Sequence, residues 1–305
     1  MERLYDLVLF AEVVDRKGFA AAARSLDMQR SKLSRRVAEL EHRMGVRLLQ
    51  RNTRHVSPTP AGEQVYIHAR ALTEEAHAAF NVAAELNGEP RGILRLTCPA
   101  PFASMALMSV VAEFSRLHPQ LHVLIEASDR KTDLVGEGFD LAFRAQAEPL
   151  DDSTLVARLI GEVPMMMAVS PALLERREPL HHPDQLIEFN LLAHASHDGV
   201  GRIHFTQNGR HKHTLQFTPR LISGSIAVLQ TAAIAGMGAT CLPRYVCKDA
   251  LVSGQLVDAL DLRSSWHPES SRMYALMPAR RGIALATRLF LDYSTPQLAV
   301  ALLGG

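Results

Sequence analysis

FAAAARSLDMQRSKLSRRVAELEHRMGVRLLQRNTRHVSPTPAG, residues 19–62, joins two helical patterns, a tight turn and a basic hairpin in one short segment. Phe19, Ala22, Ala23 and Leu26 predict a short helix whose alanines permit close packing. Asp27-Met28-Gln29 reads as a tight turn, because Asp visits the left-handed region more readily than most residues. In the helix that follows, Leu33, Val37, Leu40 and Met44 are spaced four, three and four apart and form one core-facing stripe. At roughly 100° per residue, Ser31 and Arg35 point away from that stripe, with Lys32, Ser34 and Ala38 beside them. Gly45 ends the helix and a strand begins, running to Arg51; Asn52 to His55 is a turn, and Val56 to Thr59 starts a second strand. Upstream, Leu4, Leu7, Val8, Phe10, Ala11 and Val14 predict an amphipathic helix from about Leu4 to Arg16, broken by Gly18.

Charge gives this architecture a direction. The formal net charge of the 305 residues is only +1. Between Gln29 and Arg54, however, Arg30, Lys32, Arg35, Arg36, Arg43, Arg47, Arg51 and Arg54 face only Glu39 and Glu41. Such a local excess attracts phosphate even on a nearly neutral chain. Helix, tight turn and helix, with Ser, Lys and Arg on the first turns of the second helix, suit a major groove. The competing reading is a solvated face on an ordinary three-helix domain, and the adjoining basic hairpin argues against it. The candidate DNA-binding residues are Gln29, Arg30, Ser31, Lys32, Ser34 and Arg35 on the helix, and Arg51, Thr53 and Arg54 on the hairpin, or wing.

The segment resembles the LysR-type winged helix-turn-helix over its whole length. The shared pattern is A-A-R-x-L, S-R-x-V-x-x-L-E, Met44-Gly45, L-L-x-R-x-T-R and T-x-A-G. Two departures stand out: Asp27, where the family usually has Gly or Asn, and Gln29-Arg30-Ser31, where it usually has S-Q-P or T-Q-P. The second alters the residues nearest the bases, so no operator sequence carries over.

Beyond Pro60, the residues Ala61, Val65, Ala69, Leu72, Ala76, Phe80, Ala83 and Leu86 continue at three- and four-residue steps. From periodicity alone this narrow stripe is either a coiled-coil seam or a helix packed on its own chain; the resemblance implies a dimerising helix. Asn87 to Gly92 reads as a hinge. The expected division is 1–59 for the DNA-binding domain, 60–91 for the linker helix and hinge, and 92–305 for the rest.

After Gly92 short strands and helices alternate. Strands are expected at Ile93–Cys98, Val123–Ala127 and Asp140–Ala145, with a helix at Phe102–Leu117 and a helical turn at Thr132–Glu137, as in an α/β unit with a mostly parallel sheet. Leu155–Ile160 and Met165–Val169 are read as crossing between lobes, and Arg202–Phe217 as a hairpin turning at Asn208-Gly209. Ser225–Ala235 reads as a helix, Ala239–Leu242 and Arg272–Met277 as strands, and about Ile283–Leu302 as a closing helix. E-P-R-G-x-L-R-L, D-L-V-G-E-G-F-D-L-A-F-R, A-x-S-P-A-L-L and A-A-I-A-G-M-G-A-T-C-L-P resemble the LysR effector domain. The resemblance implies a two-lobed, type 2 periplasmic-binding-protein-like fold, with lobe one about 92–162 and 267–305 and lobe two about 163–266.

Ligands of open α/β sheets bind at the carboxyl ends of strands, near helix N-termini that favour anions. The candidate effector-binding residues are therefore Pro99, Ala100, Phe102, Ala103 and Ser104, then Ser128, Asp129 and Arg144, and from lobe two His194, Ser196, Ser223, Gly224 and Ser225. Ser104 and Ser225 could hydrogen-bond a carboxylate and Arg144 could pair with one; the competing roles are a helix cap for Ser225 and a structural ion pair for Arg144.

Other chemistry finds less support. No G-x-S-x-G, Walker loop, H-E-x-x-H or strand-borne G-x-G-x-x-G is present, so no enzyme is expected. His181, His182, His194, His197, His204, His211 and His213 crowd lobe two; the pairs His194/His197 and His211/His213 have ligand-like spacing, but a solvated or core set is the better reading and no metal or cofactor is assigned. Cys98 falls at the expected cleft mouth, so a thiol- or metal-responsive regulator of the same fold, using Cys98 or these histidines, is the alternative. Three cysteines make no disulfide framework, and no apolar run is long enough to span a bilayer. The acidic start lacks a signal-peptide pattern, so a cytoplasmic bacterial protein is expected. The resemblance implies promoter DNA, a small-molecule effector, RNA polymerase and a homodimer or homotetramer as partners.

Overall fold

The structure, a computed structural model, describes residues 2–51, 56–87, 90–130, 132–146, 155–175, 179–194, 198–207, 211–260, 264–278 and 283–304. Two compact units are present, Met1–Gly88 and Glu89–Gly305. Among the described residues no helix is long and apolar enough to cross a membrane.

The first unit holds α1 (Glu2–Asp15), α2 (Phe19–Ser25), α3 (Arg30–Met44), the strands β1 (Leu49–Arg51) and β2 (Val56–Pro58), and the long α4 (Pro60–Asn87). Leu9, Phe10, Val13, Ala22, Leu33 and Val37 are fully buried in one core that also takes Ala69 of α4. Isolated helices this short are marginal in water, whereas each buried Leu, Phe or Val contributes about 1.5–3 kcal/mol; the shared core holds them. Asp27 takes the left-handed conformation, φ 49°, that the tight turn requires. Gly45 at φ 68° closes α3, with its own amide on the His42 carbonyl and that of Val46 on the Glu41 carbonyl. Met44 departs from its expected place on the buried stripe: it is 43% exposed, because the last turn of α3 runs past the core that ends at Leu40.

Polar side chains dock the hairpin. The Glu41 carboxylate accepts the Leu48 and Leu49 amides at 2.8 and 3.0 Å, so the end of α3 fixes the start of β1. Thr59 donates its hydroxyl to the Arg47 carbonyl (2.7 Å) and accepts the Gly62 amide (3.0 Å), which caps α4. A Cβ at Gly62 would sit 2.0 Å from the Leu48 carbonyl oxygen, so only glycine lets α4 pass the hairpin. Asp15 then ties α1 to α4 by accepting from Tyr66 and, at 2.9 Å, from Arg70.

The second unit begins with β3 (Gly92–Cys98), α5 (Ala100–Phe102), a π-helical turn at Ala103–Leu107, α6 (Met108–Leu117), β4 (Leu121–Ala127), α7 (Leu134–Glu137), β5 (Leu141–Gln146) and β6 (Leu155–Val163). Next come β7 (Met165–Val169), β8 (Leu191–His194), the paired β9 (Gly201–Gln207) and β10 (His211–Phe217), β11 (Leu221–Ser223), α8 (Ile226–Ile234) and β12 (Ala239–Pro243). The chain closes with α9 (Lys248–Val252), β13 (Val257–Asp258), β14 (Trp266–Pro268), β15 (Ser271–Pro278) and α10 (Leu285–Leu302). Asn208 and Gly209, the expected hairpin turn, lie outside the described residues.

Two five-stranded sheets form, in the orders β4-β3-β5-β15-β6 and β11-β8-β12-β7-β13, and β10-β9-β14 makes a third, smaller one. Only Pro164 separates β6 of the first sheet from β7 of the second, so the chain crosses between lobes there. The sheets are mixed, where a mostly parallel sheet was expected. β3, β4 and β5 are parallel, but β15 returns antiparallel to both β5 and β6. Likewise β8, β11 and β12 are parallel, and β7 runs antiparallel to both of its neighbours, β12 and β13. The late strand β15 arrives from the second lobe, not over a helical crossover, and therefore runs the other way.

Candidate functional site

In the first unit the stripe of Leu33, Val37 and Leu40 turns the other face of α3 outward. Gln29, Arg30, Ser31, Lys32 and Arg35 are exposed and Ser34 is half-buried. Gln29, Ser31, Lys32 and Arg35 share one groove with Arg36 and Arg43. The cations in that groove differ. Asp6, with only 3% of its side chain exposed, accepts from Arg36 at 2.6 Å and also from Arg43. Arg36 and Arg43, counted with the phosphate-attracting cations in the sequence, thus hold α3 to α1. Among the described residues Arg35 meets only Glu39, at 3.1 Å and with 83% of its side chain exposed, a pairing that water and salt weaken. Among the described residues Arg30 and Lys32 have no ion-pair partner. Thr53 and Arg54 lie outside the described residues, as does the side chain of Arg51.

In the second unit, parallel pairing puts the carboxyl ends of β3, β4 and β5 on one edge. The Ser128 amide donates to the Cys98 carbonyl at 2.8 Å where β3 and β4 end together. Half-buried Arg144, near the end of β5, donates to the hydroxyls of Thr97 and Thr132 at 3.1 Å each, and to the Phe143 and Arg130 carbonyls at 2.8 and 3.4 Å. Among the described residues no carboxylate lies within ion-pair distance of Arg144. Burial lowers the pKa of its guanidinium, which keeps its charge all the same. Asp129 and Ala100 are exposed, and Pro99 and Ser128 half-buried. Ser104 is exposed and donates its hydroxyl to the Ala100 and Pro101 carbonyls, both at 3.3 Å. Phe102 and Ala103, expected to line the cleft, belong to the hydrophobic core instead: Phe102 is fully buried, with its ring 5.1 Å from that of Phe143.

The second sheet supplies a matching edge. β8 and β11 are parallel with Ser223 opposite His194, and His194 Nε2 lies 3.2 Å from the Gly224 carbonyl. Ser223 accepts the Ser225 amide at 3.1 Å. Ser225 occupies the N-cap position of α8, yet its hydroxyl caps no amide. Ser196 lies outside the described residues. Ile226 of α8 packs against the core of the first sheet, so the second strand-end group stands beside the first lobe. Tyr245, which sequence reasoning passed over, is buried in that same core just after β12. Burial pushes its phenol pKa up, and neighbouring Cys98 and Asp129 add to the rise. Its only sequence signal is its position two residues after the Pro243 that ends β12.

Cys98 is fully buried, and burial pushes its thiol up to about 12. A reactive cysteine needs exposure and a lowered pKa, and Cys98 has neither.

Residues 4–63 match the model of the bacterial regulatory helix-turn-helix protein, lysR family, and residues 87–299 that of the LysR substrate binding domain. An HTH-type transcriptional regulator of Xanthomonas campestris pv. campestris is 31% identical over 97% of this chain and 85% of its own length. Among solved structures, the full-length Vibrio cholerae virulence activator AphB matches with a TM-score of 0.60 at 25% identity, covering 95% of this chain and 98% of AphB. CrgA of Neisseria meningitidis, a LysR-type transcriptional regulator, matches with a TM-score of 0.58 at 26% identity, covering 96% and 98%. With an exposed, cationic recognition helix in one unit and two sets of strand ends in the other, this chain belongs to the LysR family of DNA-binding transcriptional regulators with an effector-binding domain, and is not an enzyme.

Proposed function

We propose that Gln29, Arg30, Ser31, Lys32, Ser34 and Arg35 enter the major groove of promoter DNA, while Arg51, Thr53 and Arg54 of the wing hold the backbone or the minor groove. The observation that carries this is the division of labour on α3: Asp6 takes Arg36 and Arg43 for the fold, while Arg30, Lys32 and Arg35 stay exposed. Residues 1–59 act as the DNA-binding domain, 60–91 as dimerising helix and hinge, and 92–305 as sensor, with lobes at about 92–162 plus 267–305 and 163–266. The protein works in the cytoplasm as a dimer of dimers. A small anion binds between the lobes at Pro99, Ala100, Ser104, Ser128, Asp129 and Arg144 on one side and His194, Ser196, Ser223, Gly224 and Ser225 on the other. Half-buried Arg144, whose hydrogen-bond acceptors among the described residues are neutral, supports an anionic ligand, as does the hydroxyl of Ser225, which caps no amide at its helix N-terminus. Because the ligand favours one disposition of the lobes, it shifts the bend of the DNA and contact with RNA polymerase.

Footprinting on the chain's own upstream region tests the first half. Paired protected sites separated by whole turns of the duplex are expected, since a two-fold dimer places its helices one turn or a multiple apart. Uniform, unphased protection would contradict the reading. A thermal-shift screen of small carboxylates tests the second half; stabilisation that Arg144→Met does not reduce would remove Arg144 from the site.

A further inference from the structure

We propose that lobe two carries a zinc site made by His182, Asp184 and His213, separate from the strand-end residues. The turn at Pro183–Glu188 is capped by His182 and packs on β10, which carries His213. One ligand atom from each of the three residues lies within 4.8 Å of the others. His213 Nε2 is 2.7 Å from Asp184 Oδ1, and His182 Nδ1 is 3.3 Å from Asp184 Oδ2. In a tetrahedral zinc site with bonds near 2.0–2.1 Å, neighbouring ligand atoms stand about 3.3 Å apart, so small side-chain rotations bring this set into register.

Two imidazoles and one carboxylate match the donor set of a zinc ion with a fourth position left to water. His182 and His213 are partly shielded, whereas Asp184 is exposed and leaves the site open on one side. Bound there, zinc would clamp the turn before β8 to the β9–β10 hairpin. His194, at the far end of β8, belongs to the other group. The site escapes sequence inspection because its histidines come from a turn and from a strand distant in sequence: neither the His194/His197 nor the His211/His213 spacing contains it.

Trp266 reports on the site. It is the sole tryptophan of the chain, with its ring 5.3 Å from that of His182 and 5.9 Å from that of His213. The experiment takes full-length, untagged protein, stripped with chelator, and titrates it with zinc chloride in a non-coordinating buffer near neutral pH. Tryptophan emission and retained zinc per chain are read together. Expected are a saturable emission change with one zinc per chain, and at least about tenfold weaker binding in H182Q, H213Q and D184N, since even outer-shell partners are worth about 10–100-fold. D184N changes only an exposed side chain, and the melting temperature without zinc checks that each variant folds. Retained zinc and emission unchanged in folded H182Q and H213Q would overturn the site. So would tryptophan emission that does not respond to zinc.

Discussion

The recognition helix and the strand-end group use their charged residues in opposite ways. On α3, reading and holding fall to different side chains: Arg30, Lys32 and Arg35 are exposed, while Arg36 and Arg43 are spent on Asp6. At the strand ends one residue does both. Arg144 is the cation offered to a ligand and also the donor that links Thr97, Thr132 and two backbone carbonyls. Substitutions should therefore separate binding from stability in the first region and couple them in the second.

The largest expected effect is on the holding side. Asp6→Ala removes a buried carboxylate shared by two arginines and should cost about 2–4 kcal/mol of stability, read from denaturant unfolding of the N-terminal unit. A loss within measurement error would show that Arg36 and Arg43 do not depend on it. Gly62→Ala should follow at about 1–3 kcal/mol, since its Cβ would meet the Leu48 carbonyl and force α4 off the hairpin.

Arg144→Met sharpens the contrast. It should lose about 1–3 kcal/mol of stability through the stranded hydroxyl of buried Thr97, together with affinity for anionic ligands. Loss of affinity at full stability would show that the two roles separate here too. Lys32→Ala should leave unfolding unchanged and reduce the slope of log K against log salt by about 1, the mark of one lost phosphate contact. The smallest expected effect is at Cys98. With its thiol pushed up to about 12 and fully buried, alkylation of the folded protein at pH 7–8 should track unfolding, and rapid labelling would reopen the thiol-responsive alternative.

What sequence made legible follows the range of the interactions. The helix-turn-helix rests on contacts within a few residues, so the stripe, the Asp27 turn and the outward face of α3 could all be read directly. The link from Asp6 to Arg36 and Arg43 spans 30 and 37 positions, and composition counted those arginines among the phosphate-seeking cations. In the sensor the strand ends were legible because residues after apolar runs fall at sheet edges. The direction of β15 was not, since it depends on a chain return from the other lobe. Phe102 follows a strand, yet it turns into the core, because the helical segment it belongs to buries one face against Phe143. Tyr245 reaches the first core, and His213 reaches His182 and Asp184, only through tertiary packing.

The separation claimed for α3 is tested most directly by measuring affinity for the chain's own upstream region against random duplex at fixed, moderate salt, for the native protein and for Arg35→Ala. The native protein should prefer its own region, and Arg35→Ala should lose about tenfold of that preference or more with an unchanged melting curve. Equal preference in both proteins, or none in either with and without candidate carboxylates, would contradict the assignment of this face to promoter reading.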